Sequence, residues 1–316
     1  MNILITGAKE FLGYNLVLYW RKVHPGDTVY CMDDARQQTP WPSSFSGENT
    51  ILLEGDLHDR FYYERVFQRY SFDAAINASA VSRVHLANVQ VEENFERSLQ
   101  AFFYLADSCR QHGVRLLQLS RGDLYQKRTG LLNEKSPVWP QGHLGAAVLA
   151  TELFLQSFCR YNGLEGSILR LPRVYGPNEP RENPFVKMVL SVVAPMDESA
   201  LPQHFYCRGQ EKNCWVYALD MARAADLVLE RGKNGEIYQL GGQMFSNDEI
   251  ARQLLRQGRR EDLAFSLEEN GTKPPAAREL SEEKLEKKLG YQQQILLEEG
   301  LRYTLDWYRE HQPCRR

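Results

Sequence analysis

The chain has 316 residues, of which 43% are hydrophobic and 25% are charged, enough for a globular protein with a large core. Its formal net charge of −3 gives no overall attraction to nucleic acids or to anionic membranes. The sequence contains no apolar run of about 18 residues, so we expect no membrane-spanning helix.

The first half of the chain alternates short apolar strands with amphipathic helices. We predict strands over residues 2–6, 28–32, 50–54, 74–78, 116–120 and 167–171. We predict helices over residues 11–24, 59–69, 91–112 and 144–161. This alternation indicates parallel β-α-β units, and segments such as NILIT come close to the continuously apolar pattern of strands buried on both faces. The predicted fold class is therefore α/β, with a Rossmann-type doubly wound parallel sheet.

The pattern changes after Pro172, where prolines repeatedly interrupt shorter elements. A helix-strand-helix stretch is predicted over residues 218–256, followed by a charged tail, ELSEEKLEKKLG, that leads to a last amphipathic helix over 297–311. We therefore predict a dinucleotide-binding domain over residues 1–171. Residues 172–316 are predicted to form a smaller, mixed substrate lobe, partly interleaved with the first domain.

The six cysteines are scattered and contain no Cys-x-x-Cys pair. They are Cys31, Cys109, Cys159, Cys207, Cys214 and Cys314. Free thiols in a reducing, cytoplasmic setting fit this spacing best, and no metal site is expected. The opening segment also reads as a strand running into Gly7 rather than as a signal peptide.

The segment TGAKEFLG joins the first strand to the first helix and resembles a dinucleotide-binding turn with one glycine missing. Gly7 and Gly13 hold the outer glycine positions, which permit a tight bend and close packing of the helix. The middle position is Glu10, whose charge would stand close to a diphosphate and repel it, with Lys9 beside it as a possible compensation. Alternatively, Glu10 caps an empty helix N-terminus, which the helix dipole favours. Both interpretations stay open.

Acidic residues follow the second and third strands. Asp33 lies about twenty residues after the glycine turn, where a carboxylate binds the ribose hydroxyls and favours NAD over NADP. Asp56 lies after the third strand, where an adenine ring would lie. A simple turn aspartate is the alternative for Asp33, and Asp56 is a weak signal by itself.

Seven segments, in order, resemble the extended short-chain dehydrogenase/reductase family, in particular its nucleotide-sugar epimerases and 4,6-dehydratases. They are TGAKEFLG, GDLHD, AINASAVS, HGVRLLQLSRGDLYQ, LRLPRVYGPNE, WVYALDMARA and LGYQQQILLEEGLRYTLDWYRE. The resemblance implies NAD as a cofactor, weakened by Glu10, and a nucleotide sugar as the ligand. It implies cofactor contacts from Gly7, Glu10, Phe11, Leu12, Gly13, Asp33, Asp56, Leu57, Ala78, Ala80 and Ser120.

For the ligand, the resemblance implies contacts from Arg173, Asn213 and Arg278. Asn213 stands where the family has an arginine that holds the sugar-nucleotide diphosphate. Arg278 is the other phosphate arginine. An arginine would bind phosphate oxygens by charge-assisted hydrogen bonds.

The catalytic positions depart from the family pattern. No tyrosine in the chain is followed by lysine in a Tyr-x-x-x-Lys pair, and aligning the helix on Glu152 places Leu144 and Val148 at those two positions. Neither side chain can move a proton.

In the loop after the fifth strand, Arg121 replaces a hydroxyl residue and Gly122 replaces one of the two dehydratase acids, which leaves Asp123. His143 precedes Leu144 and is a second candidate acid/base, although a histidine at a helix start is more often a surface or capping residue.

Two functions follow from these departures. The favoured one is a degenerate family member that binds a nucleotide or sugar nucleotide without standard hydride cycling, either alone or as the partner of an active relative. The alternative is an active NAD-dependent epimerase or 4,6-dehydratase with non-standard residues.

The resemblance also implies a homodimer through the helices at 91–112 and 144–161, the second of which is apolar on more than one face.

Overall fold

The computed structural model describes residues 1–36, 40–79, 91–126, 130–140, 142–193, 204–205, 211–260, 266–267 and 277–311. The described strands are β1 (Asn2–Thr6), β2 (Thr28–Asp34), β3 (Thr50–Gly55), β4 (Ala74–Asn77), β5 (Arg115–Arg121), β6 (Gly130–Leu132), β7 (Gly166–Leu171), β8 (Arg173–Tyr175), β9 (His204–Phe205), β10 (Lys212–Tyr217), β11 (Ile237–Gln239), β12 (Gln243–Ser246), β13 (Ser266–Leu267) and β14 (Arg278–Leu280). The described helices are α1 (Phe11–Val23), α2 (Arg60–Arg69), α3 (Val91–His112), α4 (Gly142–Tyr161), α5 (Pro184–Val193), α6 (Ala218–Arg231), α7 (Asn247–Gly258), α8 (Glu283–Leu289) and α9 (Leu297–Glu310). Within the described ranges, no helix combines the length and the apolar character that crossing a membrane requires.

Seven strands form the main sheet, in the order β11-β7-β5-β4-β1-β2-β3. Every neighbouring pair in this sheet is parallel. From β1 the chain adds β2 and β3 on one side, and it then crosses to β4, β5 and β7 on the other. The predicted doubly wound α/β fold is therefore confirmed, and its switch point lies between β1 and β4, where such sheets bind ligands.

The main sheet is covered on both faces, which explains why its strands are apolar at consecutive positions. Ile3 and Ile5 pack into a core with α1, α6 and α8, whereas Leu4, between them, packs into the core formed with α2, α3 and α4. All three side chains are fully buried. Successive side chains of a strand point to opposite faces, so only an all-apolar strand serves both cores.

The smaller lobe is built on a three-stranded sheet in the order β12-β10-β8. Its core lies among α5, α7 and α9 and includes the aromatic side chains of Tyr175, Phe185 and Trp215. β8 follows β7 after only one residue, so the polypeptide passes directly from the main sheet into the lobe. This short connection places the lobe beside the carboxyl ends of the main strands.

Two parts of the second half differ from the sequence-based expectation. β11 returns to the main sheet and pairs with β7 as its seventh strand. The charged segment ELSEEKLEKKLG is not an extended tail, because it contains the end of β14 and the helix α8. Leu285 and Leu289 lie one turn apart on α8 and are buried in the core with α1 and α6.

Candidate ligand-binding cleft

The turn between β1 and α1 keeps the backbone geometry of a phosphate-binding turn. Gly7 has a φ of +67°, and a Cβ there would lie 2.8 Å from the Cα of Ser79. A Cβ on Gly13 would lie 2.1 Å from the carbonyl oxygen of Gly7, so only glycine allows this close packing of the helix. α1 begins at Phe11 without a capping side chain, which leaves N–H groups of its first turn available to an anion.

Glu10 occupies the N-cap position of α1. Its backbone N–H donates to the carbonyl of Gly7 at 3.0 Å, and its carbonyl accepts from the N–H of Tyr14 at 2.8 Å. Its side chain makes no capping hydrogen bond to the helix. Glu10 therefore stands at the N-terminus of α1 without a capping hydrogen bond, where its carboxylate lies beside the turn.

Asp33, at the end of β2, is closed off from a ribose. Its two carboxylate oxygens accept the backbone N–H groups of Lys9 at 2.7 Å and Asp34 at 2.8 Å, and the residue is fully buried. The Lys9 ammonium pairs with Glu54, the neighbour of Asp33 on β3, and lies 4.6 Å from the ring centre of Trp41. We call Lys9, Glu54 and Trp41 the Lys9 bridge. As they stand, these residues do not fit the adenosine half of a dinucleotide.

Asp56, predicted beside an adenine, belongs to a charged cluster around Arg36. The Arg36 guanidinium donates to Asp34 at 2.7 Å, lies 3.2 Å from Asp56 and contacts His58. Burial lowers the pKa of His58, which favours its neutral form beside this cation. Asp34, Asp56 and His58 place possible metal ligands within 4.8 Å of one another, but Arg36 already supplies a positive charge there. The neighbouring Leu57 is buried.

Ser120 lies in a buried polar network rather than on an open surface. Its hydroxyl donates to Glu152 of α4, and Glu152 forms a two-bond ion pair with Arg170 of β7 at 2.9 and 2.7 Å. Arg170 also donates to the Tyr125 hydroxyl at 3.0 Å. Ser120 thus ties β5 to α4. Of the other predicted cofactor contacts, Ala78 is buried and Ala80 lies outside the described residues.

The start of α4 carries no proton-transfer side chain at the two positions aligned with the Tyr-x-x-x-Lys pair. Leu144 is half-buried, and Val148 is buried with only 1% of its surface exposed. The helix begins at Gly142, two residues earlier than predicted, and His143 is exposed on its first turn. His143 is not among the residues that line the cleft described next.

A cleft of about 620 Å³ lies between the loop after β5, the start of α1 and the smaller lobe. It brings together residues predicted from distant parts of the sequence: Phe11, Leu12, Arg121, Gly122, Asp123, Arg173, Asn213 and Arg278. Two of the three arginines, Arg121 and Arg173, form ion pairs with acidic residues of the same walls. The cleft therefore offers paired charges and apolar surface, which suits a ligand with both anionic and ring-shaped parts.

Arg121 and Asp123 form an ion pair at the carboxyl end of β5. The Nε of Arg121 donates to Asp123 at 2.9 Å, and a second bond joins the same two groups. Burial alone would raise the pKa of Asp123, but the hydrogen bond and charge of Arg121, with the charge of Arg278, lower it overall. Between them, a Cβ on Gly122 would lie 2.4 Å from Leu280, so the missing acid has no room in this packing.

Arg173, from β8, forms a second charged group with residues of the next loop. Its guanidinium donates to Glu179 at 2.6 Å and to Asn183 at 2.8 Å, and it lies 5.4 Å from the ring centre of Trp215. Burial raises the pKa of Glu179 to about 7, against the opposing effects of Arg173 and Asn183. The sequence analysis did not identify Glu179, and its position in the segment Tyr-Gly-Pro-Asn-Glu was the only available signal.

The two other predicted ligand residues differ in charge. Asn213, on β10, is half-buried and supplies an uncharged amide to the cleft. Arg278, on β14, is half-buried, and its guanidinium makes no hydrogen bond or ion pair with another described residue. Its guanidinium is therefore a positive charge available to a ligand within the described part of the cleft.

Known proteins share both the sequence pattern and the fold of this chain. The profile of the NAD dependent epimerase/dehydratase family matches residues 3–241. A dTDP-glucose 4,6-dehydratase of Mycobacterium tuberculosis is 25% identical over 319 residues, which cover 99% of this chain and 94% of that protein.

Two solved structures are similar over almost the whole chain. The dTDP-glucose 4,6-dehydratase DesIV from Streptomyces venezuelae, with NAD and TYD bound, has a TM-score of 0.81 and 25% identity, over 98% of both chains. A UDP-glucose 4-epimerase from Thermotoga maritima, with UDP-glucose, has a TM-score of 0.85 and 21% identity, over 98% of this chain and 99% of that one. Because the family profile covers well over half of its residues, this chain belongs to the NAD-dependent epimerase/dehydratase family.

Proposed function

We propose that this protein binds a nucleotide sugar in the cleft and does not run the standard NAD hydride cycle. The observation that carries the proposal is the replacement of the proton-transfer pair by Leu144 and Val148, with Val148 sealed in the core. General acid–base catalysis contributes about 10²- to 10⁴-fold to a rate, and aliphatic side chains supply none of it. Without a proton-transfer pair, we expect the protein to bind a nucleotide sugar but not to convert it.

The dinucleotide turn supports the same proposal. Its backbone would still accept phosphates, but Glu10 brings a like charge to them. Asp33 is fully buried, with the Lys9–Glu54 ion pair on the neighbouring strand, so ribose hydroxyls would not reach it in this arrangement. If NAD were bound, it would supply the hydride acceptor, and this chain's own residues would hold its phosphates at the start of α1.

The cleft supports a nucleotide sugar as the ligand class. Arg278 and Arg173 present guanidinium groups from two strands, and such groups bind diphosphate oxygens by charge-assisted hydrogen bonds. Relatives named above are dehydratases of dTDP-glucose and an epimerase of UDP-glucose. We therefore infer a uridine or deoxythymidine diphosphate sugar as the first ligand to test.

An active enzyme with non-standard residues is the second candidate, because Asp123 lines the cleft. The lowered pKa of Asp123 keeps its carboxylate ionised but makes it a weak base, and it disfavours a group that must also return the proton as an acid. His143 would be the other candidate, and its exposed position outside the cleft lining argues against this role.

Calorimetry on the purified full chain separates these two functions. We expect UDP-glucose or dTDP-glucose to bind with release of heat, NAD to bind weakly or not at all, and no keto-sugar or epimer to form with added NAD. Formation of either product at rates above those of an Asp123→Asn variant would overturn the proposal in favour of the active enzyme. Failure of both nucleotide sugars to bind would contradict the proposal that the ligand is a nucleotide sugar.

We also propose that the protein pairs through α3 and α4, with a second copy or with an active relative. Large apolar side chains on these helices are exposed: Phe103 (42%), Leu153 (59%), Phe154 (46%) and Tyr161 (74%). Apolar groups gathered on one face in this way favour association. Light scattering should give a dimer mass that Leu153→Glu with Phe154→Glu reduces to a monomer. A monomeric wild type would leave only pairing with a different chain.

The cysteines support a reducing, cytoplasmic setting for this function. All four described cysteines are free thiols, and Cys31, Cys109 and Cys214 are buried. Burial raises their pKa values, which keeps them protonated and unreactive. Mass spectrometry of protein from its native source should find these thiols reduced.

A further inference from the structure

Arg173 and Glu179 form an ion pair in the wall of the cleft, but the two carboxylate oxygens of Glu179 are not equally hydrogen-bonded. One carboxylate oxygen of Glu179 accepts from both Arg173 and Asn183, each at 2.6 Å. The other oxygen is enclosed and has no hydrogen-bond partner among the residues that the structure describes. A buried carboxylate with one unsolvated oxygen is costly in its charged form, so its ionisation depends on the cation beside it.

The charged and polar groups described around Glu179 come from β8, from α9 and from its own loop. Arg173 approaches from β8, and the Tyr308 hydroxyl of α9 donates to the backbone carbonyl of Glu179 at 2.9 Å. Arg181 and Glu182 lie on the same loop and are exposed. Arg173 is thus the cation that opposes protonation of Glu179, and burial favours the neutral acid.

The cleft geometry also exposes Arg173 to a ligand. One third of its side chain is accessible, compared with 3% for that of Glu179. A diphosphate in the cleft would contact Arg173 from the open side. Part of the guanidinium charge would then be directed to the phosphate, and a second negative charge would lie near Glu179.

We propose that Arg173 and Glu179 form a proton-linked anion site, in which binding of a nucleotide-sugar diphosphate to Arg173 is accompanied by uptake of one proton on Glu179. This inference rests on the proposed function, since it needs a diphosphate ligand in the cleft. No bond other than that of the proton changes, and the proton comes from solvent. The neutral carboxyl removes the repulsion between ligand and wall, and it supplies an O–H donor.

Linkage gives the direction of the effect. Binding that takes up a proton weakens as pH rises above the pKa of the free protein, which for Glu179 is about 7. We expect affinity to be roughly tenfold lower at pH 8.5 than at pH 7. UDP-glucose is the suitable probe, because both of its phosphates are diesters and keep a constant charge over this range.

The test is calorimetry of UDP-glucose with the full chain at pH 7.5, in two buffers of different ionisation enthalpy. The difference in heat counts the protons bound, and we expect about 0.5 to 0.8 per ligand for the wild type. Glu179→Gln keeps the size and polarity of the side chain but cannot titrate, so it should bind with no proton uptake and little pH dependence. Glu165→Gln, on an exposed glutamate at the opposite end of the sheet, is the matched control and should keep the uptake.

The outcomes separate this inference from the function it rests on. Absence of any UDP-glucose or dTDP-glucose binding removes the proposed function and this inference with it. Binding without proton uptake leaves the proposed function intact and overturns the proton linkage alone. Uptake that persists in Glu179→Gln assigns the proton to another group and equally overturns it.

Discussion

The glycine turn and the cleft are neighbours in the fold, since Phe11 and Leu12 belong to both, yet they differ in what remains open to a ligand. At the turn, the backbone keeps its binding geometry while the side chains around Asp33 are paired with one another. In the cleft, Arg278 and part of Arg173 face open space. Backbone geometry is required by packing and persists with the fold. Side-chain chemistry is not required in this way, so it can differ between the glycine turn and the cleft.

The largest expected effect is on stability, and it tests whether Glu152, on the buried side of α4, holds the fold together. Glu152→Ala should lower the free energy of unfolding by about 3 to 5 kcal/mol, because it leaves Arg170 charged and unpaired in the core. Urea denaturation followed by circular dichroism measures this. Glu152→Leu with Arg170→Met removes both charges and should recover most of the loss. A loss below about 1 kcal/mol in the single variant would contradict the structural role.

Glu179 should make stability depend on pH in the opposite sense to most carboxylates. Its folded pKa is raised from 4.5 to about 7, so its contribution is fully present below about pH 4.5 and is lost as pH rises through about 7. Relative to Glu179→Gln, the wild type should lose about 2 to 3 kcal/mol of unfolding free energy over this range. Equilibrium denaturation of both proteins at several pH values measures the difference. Parallel pH curves for the two proteins would refute the raised pKa.

Arg278 should matter for binding and little for folding. Arg278→Gln is expected to weaken nucleotide-sugar affinity by about 10- to 100-fold, the value of one or two charge-assisted hydrogen bonds. Its melting temperature should stay close to that of the wild type, because Arg278 has no ion pair with the described residues. Arg309→Gln, on the exposed face of α9, serves as the control and should bind normally. Equal affinity of Arg278→Gln and wild type would place the diphosphate elsewhere.

The smallest expected effect concerns the dinucleotide turn. Glu10→Gly should raise NAD affinity only slightly, because Asp33 stays fully buried. Adding Lys9→Ala removes the ion pair with Glu54 beside Asp33 and should raise affinity by a further tenfold or so, about 1.4 kcal/mol. Calorimetric titration with NAD compares the two variants. If Glu10→Gly alone restores tight binding, Glu10 rather than the bridge is the obstruction.

The elements of the first half were predictable because their periodicity is local. β1 was predicted at its observed bounds, and the other predicted strands of the main sheet differ by one or two residues at their ends. β11 was not assigned to the main sheet, because three residues carry too little pattern to show which sheet they join. α8 was interpreted as a charged tail, since only Leu285 and Leu289 of its residues are apolar on the buried side.

The candidate site was predictable where residue identity decides chemistry. The absence of a proton-transfer pair at Leu144 and Val148 follows from the letters of the sequence, and so does the presence of arginines suited to phosphate. Glu179 was missed because a glutamate after a turn is ordinary until burial and a neighbouring arginine change its ionisation. Lys9 was expected to compensate Glu10, but its ammonium pairs with Glu54.

By itself, the sequence determined the fold class, the family resemblance and the absence of a Tyr-x-x-x-Lys pair, because these depend on periodicity and residue type. Only the tertiary structure decided which charges meet. Lys9 reaches Glu54 and Gly122 packs under Leu280 across long stretches of chain, and Arg173 binds Glu179 around a turn. Such contacts depend on distances of a few ångströms set by the packing of whole elements, and no local pattern encodes them.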